Sequence, residues 1–267
     1  MSRIPFEQLP VEVRQAMVDK AGVVRQATTV RGGMNSGIAS VLVTDNGSVF
    51  VKGITADHPQ AGAQQREAAV APCLPPSCPR LYWHLEVEGW SLLGYEVVDG
   101  RHADYAPGSP DLLLVAAALT ELQGISAPAD VEIKQAEDRW QEYAQPGTVQ
   151  HFAGETLLHT DFAPDNVLIA EGRARLIDWA WPTRGAAWID SGALALRLME
   201  AGHPVEAAVA FARRFPSWRN AAPEALAAFG AATAALWQEI AEQDGVAWKQ
   251  AMAQQAATLG RALGGLQ

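Results

Sequence analysis

The chain has 267 residues, and its 20 basic against 30 acidic side chains give a formal net charge of −10 at pH 7. Such an acidic chain is poorly suited to binding nucleic acid or an anionic membrane surface, so we predict neither partner. Its 49% hydrophobic and 19% charged residues are typical of a globular protein, and the length allows one large domain or two lobes.

The targeting and redox features predict a cytoplasmic protein. The first residues, MSRIPFEQLP, lack the apolar core of a secretory signal, and the longest strongly apolar run, 112–119, is too short to cross a bilayer. Two cysteines, Cys73 and Cys78, are too few for a disulfide framework or a four-ligand zinc site, so we expect two reduced thiols.

The first third of the chain reads as one helix followed mainly by short strands. Pro10 fits the first turn of that helix, and Asp45-Asn46-Gly47 is a strong hairpin signal because Asn and Gly tolerate positive φ. The predicted elements are helices over 5–21 and 60–71 and strands over 23–30, 38–44, 48–54, 81–87 and 90–98.

After Asp99-Gly100 the pattern becomes mainly helical. Ser109-Pro110-Asp111 is a good helix start, and apolar residues then recur along one face up to Leu122. Further helices are predicted over 190–201, 204–214 and 223–243, and short extended segments over 157–159, 167–169 and 175–178. The outline is a small β-rich lobe, a hinge near 94–100 and a larger helical lobe.

Lys52 is the first residue that points to chemistry. It lies in the apolar strand Val49-Phe50-Val51-Lys52-Gly53-Ile54, in a chain with only four lysines among its 20 basic residues. A compact ammonium suits a point-charge contact to phosphate, and the alternative is a strand lysine whose end reaches solvent. Glu67, on the predicted helix 60–71, gains meaning only together with Lys52, because a helix glutamate holds the phosphate-binding lysine in kinases.

The densest signal is the segment from Leu157 to Ile169. It contains His159-Thr160-Asp161, followed by Asn166, between two apolar runs, and Asp178 ends the next apolar run. An aspartate in such a loop can orient a hydroxyl, and one Asp and one Asn with nucleotide phosphates supply the hard oxygen ligands that Mg²⁺ prefers. Each residue alone is also typical of a turn cap, so the order and spacing carry the interpretation.

With these residues in this order, the chain resembles the aminoglycoside phosphotransferase and choline kinase family, relatives of the protein kinases. The resemblance covers nearly the whole chain, from the loop at 31–37 to the last helices. It implies an α+β, bilobal protein-kinase-like fold, with a small N-terminal antiparallel-sheet lobe containing one key helix and a larger, mainly helical C-terminal lobe. We place the nucleotide-binding lobe at 1–93, the hinge at 94–100 and the catalytic and substrate-binding lobe at 101–267.

The resemblance also implies roles for individual residues. Asp161 becomes the catalytic aspartate, and ATP or GTP with Mg²⁺ becomes the cofactor. The implied positions are Lys52 and Glu67 for the nucleotide phosphates, Glu96 and Val98 in the hinge for the base, Asn166 and Asp178 for the metal, and His159 and Asp190 for support of the loop.

The sequence departs from the family pattern in three places. Thr160 stands where the family often has Gly, and Ala180 stands where a second carboxylate could follow Asp178. The loop 31–37 is not Gly-x-Gly-x-x-Gly, although Asn35, Ser36 and the backbone N–H groups can still cradle phosphate.

The resemblance leaves the acceptor open. There is no His-Arg-Asp, Asp-Phe-Gly or Ala-Pro-Glu motif, so a small-molecule hydroxyl is favoured over a protein. Trp179, Trp181 and Trp188 crowd after the metal aspartate and form either lobe core or, with Asp165, an acceptor wall.

We therefore predict a monomeric small-molecule O-phosphotransferase, with an aminoglycoside or nucleoside antibiotic as one class of acceptor. The alternatives are a metabolic kinase for a sugar, amino alcohol or nucleoside, and a nucleotide-binding pseudokinase. Scarce lysine with abundant alanine, arginine and glycine is also typical of high-GC actinobacterial proteins.

Overall fold

The computed structural model describes residues 3–30 and 36–265. The N-terminal part is a five-stranded antiparallel sheet in the order β1-β2-β3-β5-β4. The strands are β1 (Val24–Thr29), β2 (Ile38–Thr44), β3 (Gly47–Thr55), β4 (Leu81–Val87) and β5 (Trp90–Tyr95), and the helices are α1 (Val11–Ala21) and α2 (Ala61–Val70).

One face of this sheet packs against the core and the other lines a cleft. The alternation of side chains along β3 shows which face is which. Val49 and Val51 are buried in a core with Val13 and Met17 of α1. Phe50 and Lys52 point to the opposite face and line a cleft. Helix α2 belongs to that second face, because its Glu67 contacts Lys52.

The sequence predictions for this part hold for the strands and need one correction at the start. Helix α1 begins at Val11 instead of residue 5, and Phe6–Gln8 form a short 3₁₀ turn. Leu9 is extended, with φ −64° and ψ 151°, because a residue that precedes proline is kept out of the helical region.

The C-terminal part is mainly helical and carries two small sheets. Its helices are α3 (Asp111–Leu122), α4 (Ala136–Trp140), α5 (Trp188–Glu200), α6 (Val205–Ala212), α7 (Pro216–Arg219), α8 (Pro223–Asp244) and α9 (Ala247–Gly264). Its strands are β6 (Arg101–His102), β7 (Lys134–Gln135), β8 (Thr156–Leu158), β9 (Val167–Ala170), β10 (Arg173–Leu176) and β11 (Thr183–Gly185).

The two small sheets place the loops that follow the apolar runs. One sheet has the order β10-β9-β6, and the other has the order β7-β11-β8. The loop 159–166 leaves β8 and enters β9, while Asp178 follows β10. Both sequence motifs therefore emerge beside each other, under the N-terminal sheet.

Helix α9 is the one long helix that the predicted elements omitted. It packs antiparallel to α8, where Gly230 and Gly260 allow the two backbones to touch: a Cβ added at Gly260 would lie 2.9 Å from the Gly230 carbonyl oxygen. Among the described residues, no helix combines the length and the apolar character that crossing a bilayer requires.

Candidate active site

Lys52 is held by two carboxylates from different parts of the chain. Its Nζ lies 2.6 Å from Glu67 Oε2 on α2 and 3.2 Å from Asp178 Oδ1. Burial alone would lower the pKa of Lys52, but the charges of the two carboxylates raise it to about 12. The ammonium therefore stays protonated at neutral pH and faces the cleft.

Glu67 is itself fixed from the other side by a tyrosine that the sequence reading missed. Tyr95 donates its hydroxyl to Glu67 Oε1 at 2.8 Å, and both side chains are buried. Burial raises the pKa of Tyr95, and the charge of Glu67 raises it further. Tyr95 thus acts as a permanent donor that fixes the carboxylate for Lys52.

Tyr95→Phe should lower the free energy of unfolding by about 1–2 kcal/mol, because it leaves one oxygen of a buried carboxylate without its donor. Urea unfolding followed by tryptophan fluorescence measures the change. Tyr82→Phe is the matched control, since Tyr82 is 46% exposed, and its change should stay within about 0.5 kcal/mol. Equal effects of the two variants would contradict the role of Tyr95.

Asp178 adopts the left-handed backbone region, with φ +64°, two residues after β10 ends at Leu176. Aspartate tolerates this conformation better than most residues, and the turn directs its side chain to Lys52. The charge of Lys52 lowers the pKa of Asp178 against the opposing effect of burial. Its carboxylate is therefore ionised at neutral pH.

His159 organises the loop because each of its two ring nitrogens takes part in a hydrogen bond. Its Nδ1 lies 3.3 Å from the Asp161 N–H, which donates to it, and its Nε2 lies 2.9 Å from the Ile177 carbonyl oxygen. This pattern assigns a neutral ring with the proton on Nε2. The ring also packs edge-on against Trp179 at 4.7 Å, so His159 fixes the loop without facing the cleft.

Asp190, in the first turn of α5, holds the loop through hydrogen bonds from the loop backbone to its carboxylate. Its two oxygens accept the N–H groups of His159 and Thr160, both at 2.9 Å. Burial raises the pKa of Asp190, and the hydrogen bond from the His159 N–H lowers it. Helix α5 thus determines where the loop backbone lies.

Thr160 adopts φ +68°, a region that a β-branched residue rarely enters. Its hydroxyl donates to the Trp181 carbonyl at 3.3 Å. A glycine would adopt this conformation without strain, so threonine at this position costs conformational energy.

Thr160→Gly should raise the free energy of unfolding by about 0.5–1 kcal/mol, the net of relieved strain against the greater flexibility of glycine in the unfolded chain. Differential scanning calorimetry should show a Tm higher by about 1–2 °C. Thr160→Ala is the control, because it loses the hydroxyl but keeps the Cβ that is strained. A Thr160→Gly protein less stable than Thr160→Ala would contradict this account.

Asp161 is surrounded by hydrogen-bond donors, one of which is charged. Oδ1 accepts from Arg197 Nη2 at 2.9 Å and from the Ala163 N–H at 3.2 Å, and Oδ2 accepts from Asn166 Nδ2 at 3.0 Å. Arg197 lies on α5, and its other nitrogen, Nη1, pairs with Glu200 at 2.9 Å. The carboxylate is therefore held in one orientation.

Asn166 and Asp178 are the donor set that a divalent cation would use. Because Asn166 gives its Nδ2 to Asp161, its amide oxygen remains available, and both residues line the cleft beside Lys52. The described residues contain no cluster of three or more His, Cys, Asp or Glu side chains that could hold a metal. One carboxylate and one amide oxygen fit an ion such as Mg²⁺, which keeps waters and binds phosphate oxygens.

The predicted hinge is anchored to the C-terminal part by an ion pair. Glu96 accepts from Arg175 Nη1 at 3.2 Å and Nη2 at 2.9 Å, and its N–H donates to the Arg80 carbonyl. Within the described residues, the Glu96 carbonyl and the Val98 N–H have no backbone hydrogen bond. These two groups remain free to pair with a ligand edge.

The cleft between the sheet and the C-terminal part has a volume of about 480 Å³. Ser36 lines it together with Lys52, Glu96 and Val98, whereas Asn35 lies outside the described residues. Its apolar walls come from both parts of the chain and comprise Val30, Ala39, Val41, Phe50, Leu168 and Ile177. The cleft has the size and the apolar walls of a small-molecule site.

The structure separates the two alternatives, core or acceptor wall, that the sequence left open for the three tryptophans. Trp188 is 7% exposed and packs edge-on against Phe152 and Phe229, so it belongs to the core. Trp179 is also buried, under the loop, although its edge reaches the cleft. Only Trp181 of the three is exposed, at 41%, and Asp165 is exposed beside the cleft.

No family model matches the chain, and no curated protein matches it in sequence. Solved structures nevertheless share its fold. Choline kinase LicA from Streptococcus pneumoniae has a TM-score of 0.64 at 14% identity, covering 94% of this chain and 98% of that one. Aminoglycoside phosphotransferase APH(4)-Ia has a TM-score of 0.57 at 16% identity, covering 93% and 98%.

A thermostable mutant of that phosphotransferase, in a ternary complex with ADP and hygromycin B, has a TM-score of 0.58 at 16% identity, covering 93% of this chain and 98% of that one. At these identities the likeness concerns the fold. The predicted α+β, kinase-like fold is confirmed.

Proposed function

We propose that this protein is a kinase that transfers the terminal phosphoryl group of ATP or GTP to a hydroxyl group of a small molecule. The observation that carries the proposal is that Lys52, Glu67, Asn166 and Asp178 line one cleft, and that Asn166 is hydrogen-bonded to Asp161 on the same loop. Kinase folds use this combination for phosphoryl transfer.

The nucleotide is proposed to lie in the cleft with its base against the hinge. The free Glu96 carbonyl and Val98 N–H supply an acceptor and a donor for the base edge, and the apolar walls cover its faces. Lys52 is proposed to contact the phosphates, with Glu67 holding it, and Ser36 to border them. Asn35 keeps its predicted phosphate role as part of this proposal.

The predicted division of the chain fits this arrangement. We propose residues 1–93 as the nucleotide-binding lobe, 94–100 as the hinge and 101–267 as the catalytic and acceptor-binding lobe. A monomeric enzyme is part of this proposal.

Asp161 is proposed to orient the acceptor hydroxyl and to take its proton. In the balanced step the acceptor O–H bond breaks, its oxygen bonds to the terminal phosphorus, and the bond from that phosphorus to the bridging oxygen breaks, releasing nucleoside diphosphate. Arg197 and Asn166 keep the carboxylate oriented. Mg²⁺ held by Asn166 and Asp178 would neutralise phosphate charge when bound.

The proposed function is compatible with several classes of acceptor. The neighbours' own names include choline and hygromycin B, which are chemically unlike each other. An antibiotic acceptor and a metabolic sugar, amino alcohol or nucleoside both remain candidates. A pseudokinase would bind nucleotide without transfer, and the complete set of Lys52, Asp161, Asn166 and Asp178 favours the enzyme.

Labelled ATP and GTP, tested separately with Mg²⁺ and a panel of hydroxyl compounds, decide between these functions. A kinase should add the mass of one phosphoryl group to at least one acceptor, as read by mass spectrometry. Nucleotide binding without acceptor-dependent transfer would instead support the pseudokinase, and a protein that binds no nucleotide would refute the proposal.

A further inference from the structure

Arg139, on α4, is a cation without a carboxylate partner beside the catalytic loop. Among the described residues, no Asp or Glu oxygen lies within ion-pair distance of it. Its guanidinium lies 5.3 Å from the Trp140 ring and 5.7 Å from the Trp181 ring. Its only hydrogen bonds to described residues run from Nη1 to Thr183 Oγ1 at 3.3 Å and to the Trp181 carbonyl at 3.5 Å.

The Trp181 carbonyl links Arg139 to the loop that carries Asp161. This oxygen also accepts the hydroxyl of Thr160, the residue that precedes Asp161, at 3.3 Å. Arg139 and the loop therefore bind the same carbonyl oxygen. Arg139 also lies beside the ring of Trp181, which is 41% exposed. The pKa of Arg139 is lowered to about 10. Burial is the larger effect, and the charges of Asp190 and Asp161 oppose it in part.

The carboxylates near Arg139 are already engaged elsewhere. Asp190 accepts two backbone N–H groups of the loop, and Asp161 is paired with Arg197. Arg139 therefore has no ion-pair partner among the described residues, although the charges of Asp190 and Asp161 act on it from a greater distance. A guanidinium in this position can take an anionic group of a ligand as its ion-pair partner.

We infer that the acceptor is a hydroxyl compound that also carries an anionic group, a carboxylate or a phosphate ester, which binds Arg139. This inference rests on the proposed function and narrows its acceptor. Arg139 offers a planar set of donors that matches both kinds of anion, and the exposed Trp181 ring covers one side of it. An acceptor without an anionic group would leave this guanidinium without an ion-pair partner.

A matched series of sugars tests the charge preference directly: glucose, glucosamine, glucuronate and glucose 6-phosphate, with choline and hygromycin B as further cations. Each is tested for phosphoryl transfer from ATP and, by calorimetry, for binding to protein saturated with AMP-PNP. The anionic sugars should exceed their neutral and cationic counterparts by about tenfold or more in kcat/KM or in affinity. Equal or better use of neutral or cationic members, or no anion preference in either readout, would overturn the inference.

Variants of Arg139 then assign the preference to this side chain. Arg139→Gln should remove the preference by raising KM for anionic acceptors about tenfold to a hundredfold, while Arg139→Lys keeps part of it. Arg184→Gln is the matched control, because Arg184 follows Thr183 on β11 and, among the described residues, its guanidinium has polar contacts only with Pro128 and Glu155. An Arg139→Gln protein with unchanged anion preference overturns the assignment.

Failure of this inference can be distinguished from failure of the proposed function. AMP-PNP binding and the loss of transfer on replacement of Asp161 do not depend on the charge of the acceptor. A protein that phosphorylates hygromycin B would refute the anionic acceptor and leave the kinase intact.

Discussion

Asp161→Asn should lower kcat by about 10²–10⁴, because the variant loses the group that takes the proton of the acceptor hydroxyl. Asparagine also brings an NH₂ group into a place where all three neighbours, Arg197, Asn166 and the Ala163 N–H, are donors. One of these hydrogen bonds must therefore be lost, and the side chain loses its fixed orientation. The affinity for nucleotide should change little, since Asp161 does not line the cleft.

Single-turnover transfer from labelled ATP measures this effect separately from product release. Asp130→Asn is the control, because it removes one exposed carboxylate from the same part of the chain and should keep full activity. If Asp161→Asn retains more than half of the wild-type kcat, Asp161 is not the residue that accepts the proton.

Asp178→Ala should reduce turnover by about 10³-fold or more. Asp178 is the anionic member of the proposed metal ligands, and the stabilisation that a bound cation gives to transferred phosphate is worth several kcal/mol, at about 1.4 kcal/mol per tenfold in rate. The fold should tolerate the change, because Lys52 keeps Glu67 at 2.6 Å. Loss of activity without loss of Tm would therefore separate a chemical role from a structural one.

The measurement is the rate of transfer as a function of Mg²⁺ concentration, compared with the melting curve of the same protein. Glu171→Gln is the matched control, since it removes one exposed carboxylate from the turn between β9 and β10. Unchanged, Mg²⁺-dependent turnover in Asp178→Ala would rule out the assignment of Asp178 as a metal ligand.

The sequence predicts the strands well because each has a buried and an exposed face. In β3, the alternation around Lys52 gives both the strand and the side of the sheet on which the ammonium lies. The omitted helix α9 has the same kind of signal in Met252, Ala256, Leu259 and Leu263, all of which are buried. Its apolar face is sparse and rich in alanine, so the pattern is weak without its partner α8.

The site is predictable where its residues are close in sequence. Asp161 and Asn166 are five residues apart, and the structure joins them by a hydrogen bond. Lys52 and Asp178 meet from 126 residues apart, and only the resemblance to known kinases brought them together. Their assignment to phosphate and metal remains a prediction.

The residues that sequence reading missed or left undecided depend on tertiary packing. Arg197 meets Asp161 from 36 residues away, and nothing near either residue in sequence indicates the contact. Trp188 is a case that the sequence left undecided, because its closeness to Asp178 along the chain kept a place in an acceptor wall open beside a place in the core. Helix α5 begins at Trp188 and turns this ring towards Phe152 and Phe229.

Helix α5 has a consequence for the order in which the active site can form during synthesis. Its Asp190 fixes the backbone at His159 and Thr160, and its Arg197, two turns later, fixes the side chain of Asp161. A nascent chain that has emerged only as far as residue 187 contains the whole loop 159–166 but none of these constraints. Because domains fold as their last required segment leaves the ribosome, the site is completed only after α5 docks. Any insertion between Asp178 and Asp190 would act on this docking step, and so on the yield of active protein.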